Sequence, residues 1–172
     1  MKKNPLSENK KLVSLGELVK IRDELDAAGR KLALTNGCFD LLHSGHNYFL
    51  KNAASLGDRL VVMLNSEESV RALKGPTRPV QNDSERAYNL ASLEAVDYVC
   101  VFSSKRLDAE IAAVRPHVYA KAGDYTLENL DAGERAALEK CGAEIVFLPF
   151  LEGFSTTSLI AKIAAAAKAG AI

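Results

Sequence analysis

The stretch Thr35-Asn36-Gly37-Cys38-Phe39-Asp40-Leu41-Leu42-His43-Ser44-Gly45-His46 decides how the rest of the chain is read. Ahead of it, Leu32-Ala33-Leu34 has the continuous apolar character of a buried strand. Behind it, Tyr48-Phe49-Leu50-Lys51-Asn52-Ala53-Ala54 spaces its apolar residues as one face of a helix does. The pattern predicts a strand that turns through glycines into a helix, with two histidines where the helix starts. A helix N-terminus offers unpaired N–H groups and a partial positive charge, which suits an anion such as phosphate. Gly37 and Gly45 let the backbone approach a ligand closely. The imidazoles of His43 and His46 can donate hydrogen bonds to phosphate oxygens as negative charge develops. Two other readings of the pair stand beside this one: metal ligands joined by Cys38 or Asp40, and ordinary surface or capping residues. No second Cys/His cluster in the sequence completes a four-ligand site, and His117, which follows Pro116, reads as structural.

Outward from this turn, strands and helices alternate. Residues 1–13 read as a flexible N-terminal arm. Ser14-Leu15-Gly16-Glu17 is a capping box that opens a helix to about Ala28, ended by Gly29. Arg59–Asn65 is apolar enough for a strand covered on both faces. A short helix over 66–73 leads to a loop, 74–80, with Arg71, Lys74 and Arg78 close together. A helix from Asn82 to about Leu93 carries Arg86 in its first turn, where the helix dipole disfavours a cation unless an anion or solvent offsets it. Asp97–Phe102 is a third strand, Leu107–Val114 a helix stopped by Arg115-Pro116, and Val118–Lys121 a fourth strand. Helix is expected over 127–141 and a fifth strand over 143–150. The last helix opens at Gly153-Phe154-Ser155-Thr156-Thr157 and runs to Ile163, before an alanine-rich tail over 164–172. The expected architecture is one domain, 14–163, of Rossmann-like α/β class: a parallel five-stranded sheet with helices on both faces. Ligands of such sheets bind beyond the carboxyl ends of the strands. His43–His46, Lys121-Ala122-Gly123-Asp124-Tyr125 and Glu152–Thr157 all follow strands, so they should gather on one edge.

Composition narrows the chemistry. The chain has 172 residues, 22 Lys plus Arg against 22 Asp plus Glu, and no formal net charge, which argues against a general nucleic-acid or anionic-membrane binder. Its three cysteines are widely spaced, its N-terminus is polar, and no apolar run reaches membrane-spanning length, so a cytoplasmic protein is expected. Neither a GxxxxGK[ST] P-loop nor a GxGxxG fingerprint occurs. What remains is a phosphate site built from histidines, lysines, glycines and two helix N-termini. It suits attack by a phosphate oxygen on the α-phosphorus of a nucleoside triphosphate, with Mg2+ accompanying the triphosphate and pyrophosphate leaving. Taken singly, Ser155 could be a plain cap, Lys74 and Arg78 solvated loop charges, and Tyr125 a cover for the sheet edge.

His43-Ser44-Gly45-His46, with Gly37-Cys38-Phe39-Asp40 ahead of it, resembles the HxGH signature of the cytidylyltransferase-like nucleotidyltransferases. Within that family, Leu32–Ile163 resembles the adenylyltransferases of ADP-heptose synthesis. The likeness runs through Thr35–Asp40, Leu64-Asn65-Ser66, Leu73-Lys74-Gly75 with Arg78-Pro79, Leu93–Asp97, Lys121 with Gly123-Asp124-Tyr125, and Gly153 with Ser155-Thr156-Thr157. The glycerol-3-phosphate cytidylyltransferases are also similar, but they carry arginine and tryptophan where this chain has Phe150 and Tyr125. The resemblance implies AMP transfer from ATP to a sugar 1-phosphate, D-glycero-β-D-manno-heptose 1-phosphate, for a surface glycan such as lipopolysaccharide. It implies catalytic roles for His43, His46 and Lys74. It implies substrate contacts from Asn36, Gly37, Cys38, Phe39, Asp40, Gly45, Arg86, Lys121, Gly123, Asp124, Tyr125, Gly153, Phe154, Ser155, Thr156 and Thr157, and a homodimer. Ala122 stands where that group has glycine, and Leu151-Glu152 where it has an acidic pair. Alternatives are a cytidylyltransferase of an alcohol phosphate and a nucleotide-binding module without catalysis.

Overall fold

Five parallel strands form the centre of the molecule, which was analysed as a computed structural model describing residues 6, 8–123, 125–149 and 151–170. They are β1 (Leu32–Gly37), β2 (Arg59–Asn65), β3 (Tyr98–Phe102), β4 (Val118–Ala122) and β5 (Glu144–Leu148), in the order β3-β2-β1-β4-β5. Around them lie α1 (Leu15–Ala27), α2 (Ser44–Ala54), α3 (Glu67–Lys74), α4 (Asp83–Ala91), α5 (Asp108–Val114), α6 (Ala132–Cys141) and α7 (Thr156–Lys168). Side chains of a strand alternate between its faces, so the central strands feed two cores. Ala33, Val62, Leu64 and Ala120 pack with Phe49, Leu50 and Ala53 of α2 and Leu90 of α4. Leu32, Leu34, Val61, Met63 and Tyr119 pack with Leu18 of α1, Ile111 of α5 and Leu138 of α6. Both sets are buried, which explains why β2 reads as an unbroken apolar run.

The chain reverses its winding between β1 and β4. β1 pairs with β2 on one side, Leu32 opposite Arg59, and with β4 on the other, Leu34 opposite Tyr119. The crevice beyond the carboxyl ends of these two strands is the topological switch point, where open α/β sheets take their ligands.

Three boundaries differ from the sequence reading. The arm expected to be flexible through Val13 is tied down from Lys11 onward. Leu12 bridges Val99 on the free edge of β3, the Val13 N–H donates to the Val99 carbonyl at 3.0 Å, and Lys11 Nζ donates to the Val96 carbonyl at 2.7 Å. An edge strand leaves backbone groups unpaired, and this segment satisfies some of them. α6 begins at Ala132 rather than 127, because the Asp131 carboxylate accepts from the Gly133 and Glu134 N–H groups and fixes the cap there. α7 continues through the alanines to Lys168, in keeping with the high helix propensity of alanine. His117 is structural, as expected: Nδ1 accepts from the Leu32 N–H at 3.0 Å, and Nε2 lies 3.0 Å from Asp26 Oδ1.

The turn from α2 into β2 runs close against β1. A Cβ added at Gly57 would lie 2.9 Å from both the Ala33 nitrogen and the Lys31 oxygen. Gly57→Ala is therefore expected to cost about 1–3 kcal/mol of stability. Urea unfolding checks this, and an unchanged midpoint would contradict the packing.

Candidate active site

The C-terminal edge of β1 and β4 opens into a cleft of about 1110 Å³. Its floor is the turn after β1. Phe39 holds a positive φ of 42°, and its ring lies 5.2 Å from the His46 ring. A Cβ at Gly37 would sit 2.9 Å from the Phe39 ring, so the turn needs glycine there. Asn36, Gly37, Cys38, Phe39 and Asp40 all line the cleft. Asp40 is committed to the protein, however: it is 2% exposed, pairs with Arg78 Nε at 2.5 Å, and accepts from the Val80 and Gln81 N–H groups. It thus latches the loop after α3 onto the turn. Burial pushes the Cys38 thiol up, keeping it protonated at neutral pH.

Arg86 does not reach the cleft. It is completely buried, and it donates to the carbonyls of Gln81 (3.1 Å), Cys38 (2.7 Å) and Asn65 (2.8 Å) and pairs with Asp83. The partners that offset its charge in the first turn of α4 are these groups, not a substrate. The expectation of a nucleotide contact from Arg86 gives way to a structural role behind the turn.

His43 and His46 stand at the start of α2 with rings stacked, centroids 3.8 Å apart. His43 is the N-cap residue, but its side chain makes no capping bond. The Nδ1 atoms of both rings are buried without a hydrogen-bond partner among the described residues. Burial lowers both pKa values; that of His46 falls to about 4, with the neighbouring His43 contributing. The pair is therefore neutral at pH 7, and a backbone hydrogen bond at Leu41 works against the His46 shift. A pKa near 4 in the folded chain against an ordinary 6.5 means that the unfolded chain takes up the His46 proton first. Stability is expected to be full above pH 6.5 and to fall between pH 6.5 and 4, by about 3 kcal/mol at most. Urea unfolding of wild type and His46→Asn across this window measures the effect; parallel curves would refute it.

The second helix N-terminus at the cleft belongs to α7. Ser155 Oγ accepts from the Ser158 N–H at 3.0 Å, and Gly153, Phe154, Ser155, Thr156 and Thr157 all line the cleft. Gly45 is where α2 meets this segment. A Cβ there would lie 3.0 Å from the His43 ring and 3.2 Å from Phe154 Cβ. Lys74, the last residue of α3, lines the cleft from a third direction.

At the end of β4, Lys121 Nζ donates to Asn36 Oδ1 at 2.6 Å and to the Tyr119 hydroxyl at 3.0 Å, and lies 5.1 Å from the Tyr125 ring centroid. The Tyr119 hydroxyl is 2.8 Å from Asn36 Oδ1 and 3.3 Å from Glu134 Oε2. Burial lowers the Lys121 pKa, and the Glu134 carboxylate opposes the shift. Gly123 has a φ of 93° and binds the Leu148 carbonyl through its N–H; it is a turn residue, not part of the lining. Asp124 lies outside the described residues, as does Phe150. Sequence reasoning missed Glu134, Asp131, Lys105 and Arg106, which all line the cleft. They come from α6, its cap and the loop before α5, and no motif marks them. The metal-ligand reading of the histidines finds no group of three His, Cys, Asp or Glu able to hold an ion among the described residues. No helix among them is long and apolar enough to cross a membrane.

A doubly wound sheet whose switch point gathers two helix N-termini and a stacked pair of imidazoles is the architecture expected of a nucleotidyltransferase, and comparison with known proteins places the chain in that class. More narrowly, the chain belongs to the cytidylyltransferase-like family, whose model matches residues 34–162. It is 46% identical over 151 residues to the bifunctional protein HldE of Methylococcus capsulatus, a match covering 88% of this chain and 32% of that protein. Against HldE of Hyphomonas neptunium the identity is 49% over 137 residues, covering 79% and 28%. The chain thus spans less than a third of the length of these curated relatives. Among solved structures, a lipopolysaccharide core biosynthesis protein from Thermoplasma volcanium shares the fold, with a TM-score of 0.58 and 24% identity over 72% of this chain and 98% of its own. A pantoate-beta-alanine ligase from Francisella tularensis does so with a TM-score of 0.52 and 16% identity, covering 86% of this chain and 74% of its own.

Proposed function

We propose that the chain transfers AMP from ATP to a sugar 1-phosphate, D-glycero-β-D-manno-heptose 1-phosphate, yielding ADP-heptose and pyrophosphate. The observation that carries this reading is the convergence of two helix N-termini, the stacked neutral histidines and Lys74 and Lys121 on one cleft. An oxygen of the acceptor phosphate attacks the α-phosphorus of ATP. The bond from that phosphorus to the bridging oxygen breaks, and pyrophosphate leaves with the electron pair. The attacking phosphate is already ionised at neutral pH, so no general base is required. His43 and His46 donate N–H bonds to the oxygens that gain charge, and the helix ends hold the phosphates with donors fixed in advance. Mg2+ arrives with ATP as part of the substrate, held by phosphate oxygens and water and spreading the triphosphate charge.

The heptose is preferred to glycerol phosphate because the HldE relatives match most of the chain and because Tyr125 stands where the glycerol-3-phosphate cytidylyltransferases carry tryptophan. The same proposal includes a homodimer, a cytoplasmic location consistent with three free cysteines, and a place in surface-glycan synthesis. The deciding experiment is pyrophosphate release with Mg2+, crossing ATP and CTP with heptose 1-phosphate and glycerol 3-phosphate. Release with ATP and the heptose alone is expected. Release only with CTP and glycerol phosphate would overturn the substrate assignment, and silence in every pair would overturn the reaction.

A further inference from the structure

The cleft has two chemically different sides. Asn36, Tyr119 and Lys121 are joined on the face of the sheet that packs under α5 and α6, whereas α2, with the histidines, covers the opposite face. The side under α6 presents two carboxylates, Asp131 and Glu134, which repel a triphosphate but accept hydrogen bonds from hydroxyls. The same side carries cations. An ammonium has three donors, and Lys121 has spent two, on Asn36 and Tyr119, which leaves one for a ligand. Arg106, with Lys105 beside it, lies across from the α6 cap: its Nε is 3.1 Å from Asp131 Oδ2, while Asp131 Oδ1 caps the helix. The Arg106 side chain is 53% exposed, so this ion pair contributes little to stability and exchanges readily for a stronger partner. A phosphate dianion taken by the guanidinium in a two-point contact is such a partner.

We propose that the side of the cleft under α6 is a subsite for a polyol monophosphate, whose phosphate is held by Lys121 and Arg106 and whose hydroxyls are taken by the Asp131 carboxylate that Arg106 releases. This rests on the reaction proposed above, in which the subsite receives the acceptor. Glu134 acts as a positioning residue, fixing Lys121 through the Tyr119 hydroxyl. The ion pair then doubles as a selector. A ligand must bring both a phosphate to draw Arg106 away and hydroxyls to occupy Asp131, a demand that a sugar phosphate meets more fully than glycerol 3-phosphate.

The test uses the full chain saturated with a non-hydrolysable ATP analogue and titrated calorimetrically with inorganic phosphate and with heptose 1-phosphate. Arg106→Ala is expected to weaken both probes about tenfold and to leave affinity for the ATP analogue within about twofold, a shift too small to signal a lost charged contact. Arg106→Lys keeps the charge and should recover part of the loss. Asp131→Asn keeps the helix cap; it should weaken heptose 1-phosphate about fivefold without weakening inorganic phosphate. Unchanged binding of both probes to Arg106→Ala, or an equal loss of the ATP analogue, overturns the subsite. If every nucleotide and acceptor pair is silent for pyrophosphate while the Arg106→Ala loss persists, the reaction falls and the subsite stands. If turnover proceeds with an unaltered KM for the heptose in Arg106→Ala, the subsite falls and the reaction stands.

Discussion

His43→Ala is expected to lower kcat for pyrophosphate release by about 10²–10³-fold while leaving the melting temperature nearly unchanged. The two halves of this expectation come from the same geometry. The His43 side chain makes no capping bond, and the start of α2 is held by the main chain, the His46 N–H donating to the His43 carbonyl at 2.9 Å. Removing the imidazole therefore spares the helix. It does remove a neutral N–H donor that is stacked on His46 and beside Gly45, with no partner at Nδ1 among the described residues. A donor fixed before the reaction begins is worth most when charge moves onto the oxygen it faces, which places the loss in kcat rather than in ATP binding. Asn at position 43 keeps an N–H and should restore part of the rate. A kcat within a factor of about two of wild type, far below the loss of one such donor, would remove His43 from the mechanism.

Arg86→Met should be the most damaging single change to stability, at about 3–5 kcal/mol. Methionine fills much of the volume but supplies none of the donors. The carbonyls of Cys38, Asn65 and Gln81 would lose their common partner, and Asp83 its counter-ion, in a place without solvent. Arg86→Lys is expected to rescue little, because a single ammonium cannot reproduce the planar fork that spans these acceptors. Total stability of a domain this size is about 5–15 kcal/mol, so the variant approaches the threshold for folding. Urea unfolding measures it. A loss below about 1 kcal/mol, no more than an ordinary hydrogen bond, would mean that water reaches those carbonyls freely.

The turn, its two histidines and the parallel sheet were readable from the sequence because each rests on neighbours in the chain. Gly37, Phe39 and Gly45 are bound to one local conformation, and the unbroken apolar run of β2 permits little but a strand buried on both faces. Arg86 was misread for the opposite reason. Its helix is local, but its acceptors lie at positions 38 and 65, and a first-turn arginine looks the same whether it faces water or a core. Asp40 lines the cleft, yet its commitment to Arg78 depends on how a loop 38 residues later folds back. The link from Lys121 to Asn36 crosses 85 residues, and that from Tyr119 to Glu134 joins a strand to a helix whose start is set by the Asp131 cap. Pattern and propensity carry no information about such meetings; the order of the strands does.

α7 supplies one wall of the cleft but contributes no buried residue, and neither hydrophobic cluster includes any part of it. Its Leu159 and Ile163 reach only a shallow groove beside Leu41 and Leu42, so its attachment to the rest is weak, and a ligand at its N-terminus would become part of what holds it in place. Amide exchange across residues 156–168 should be fast in the free protein and slow when ATP is bound. Some of the intrinsic affinity for nucleotide is then used to order this segment, so measured binding is weaker than the contacts alone would give. On the proposed reaction, a wall ordered in part by the nucleotide would also loosen as the product leaves, while the sheet and its two cores stay folded for the next turnover.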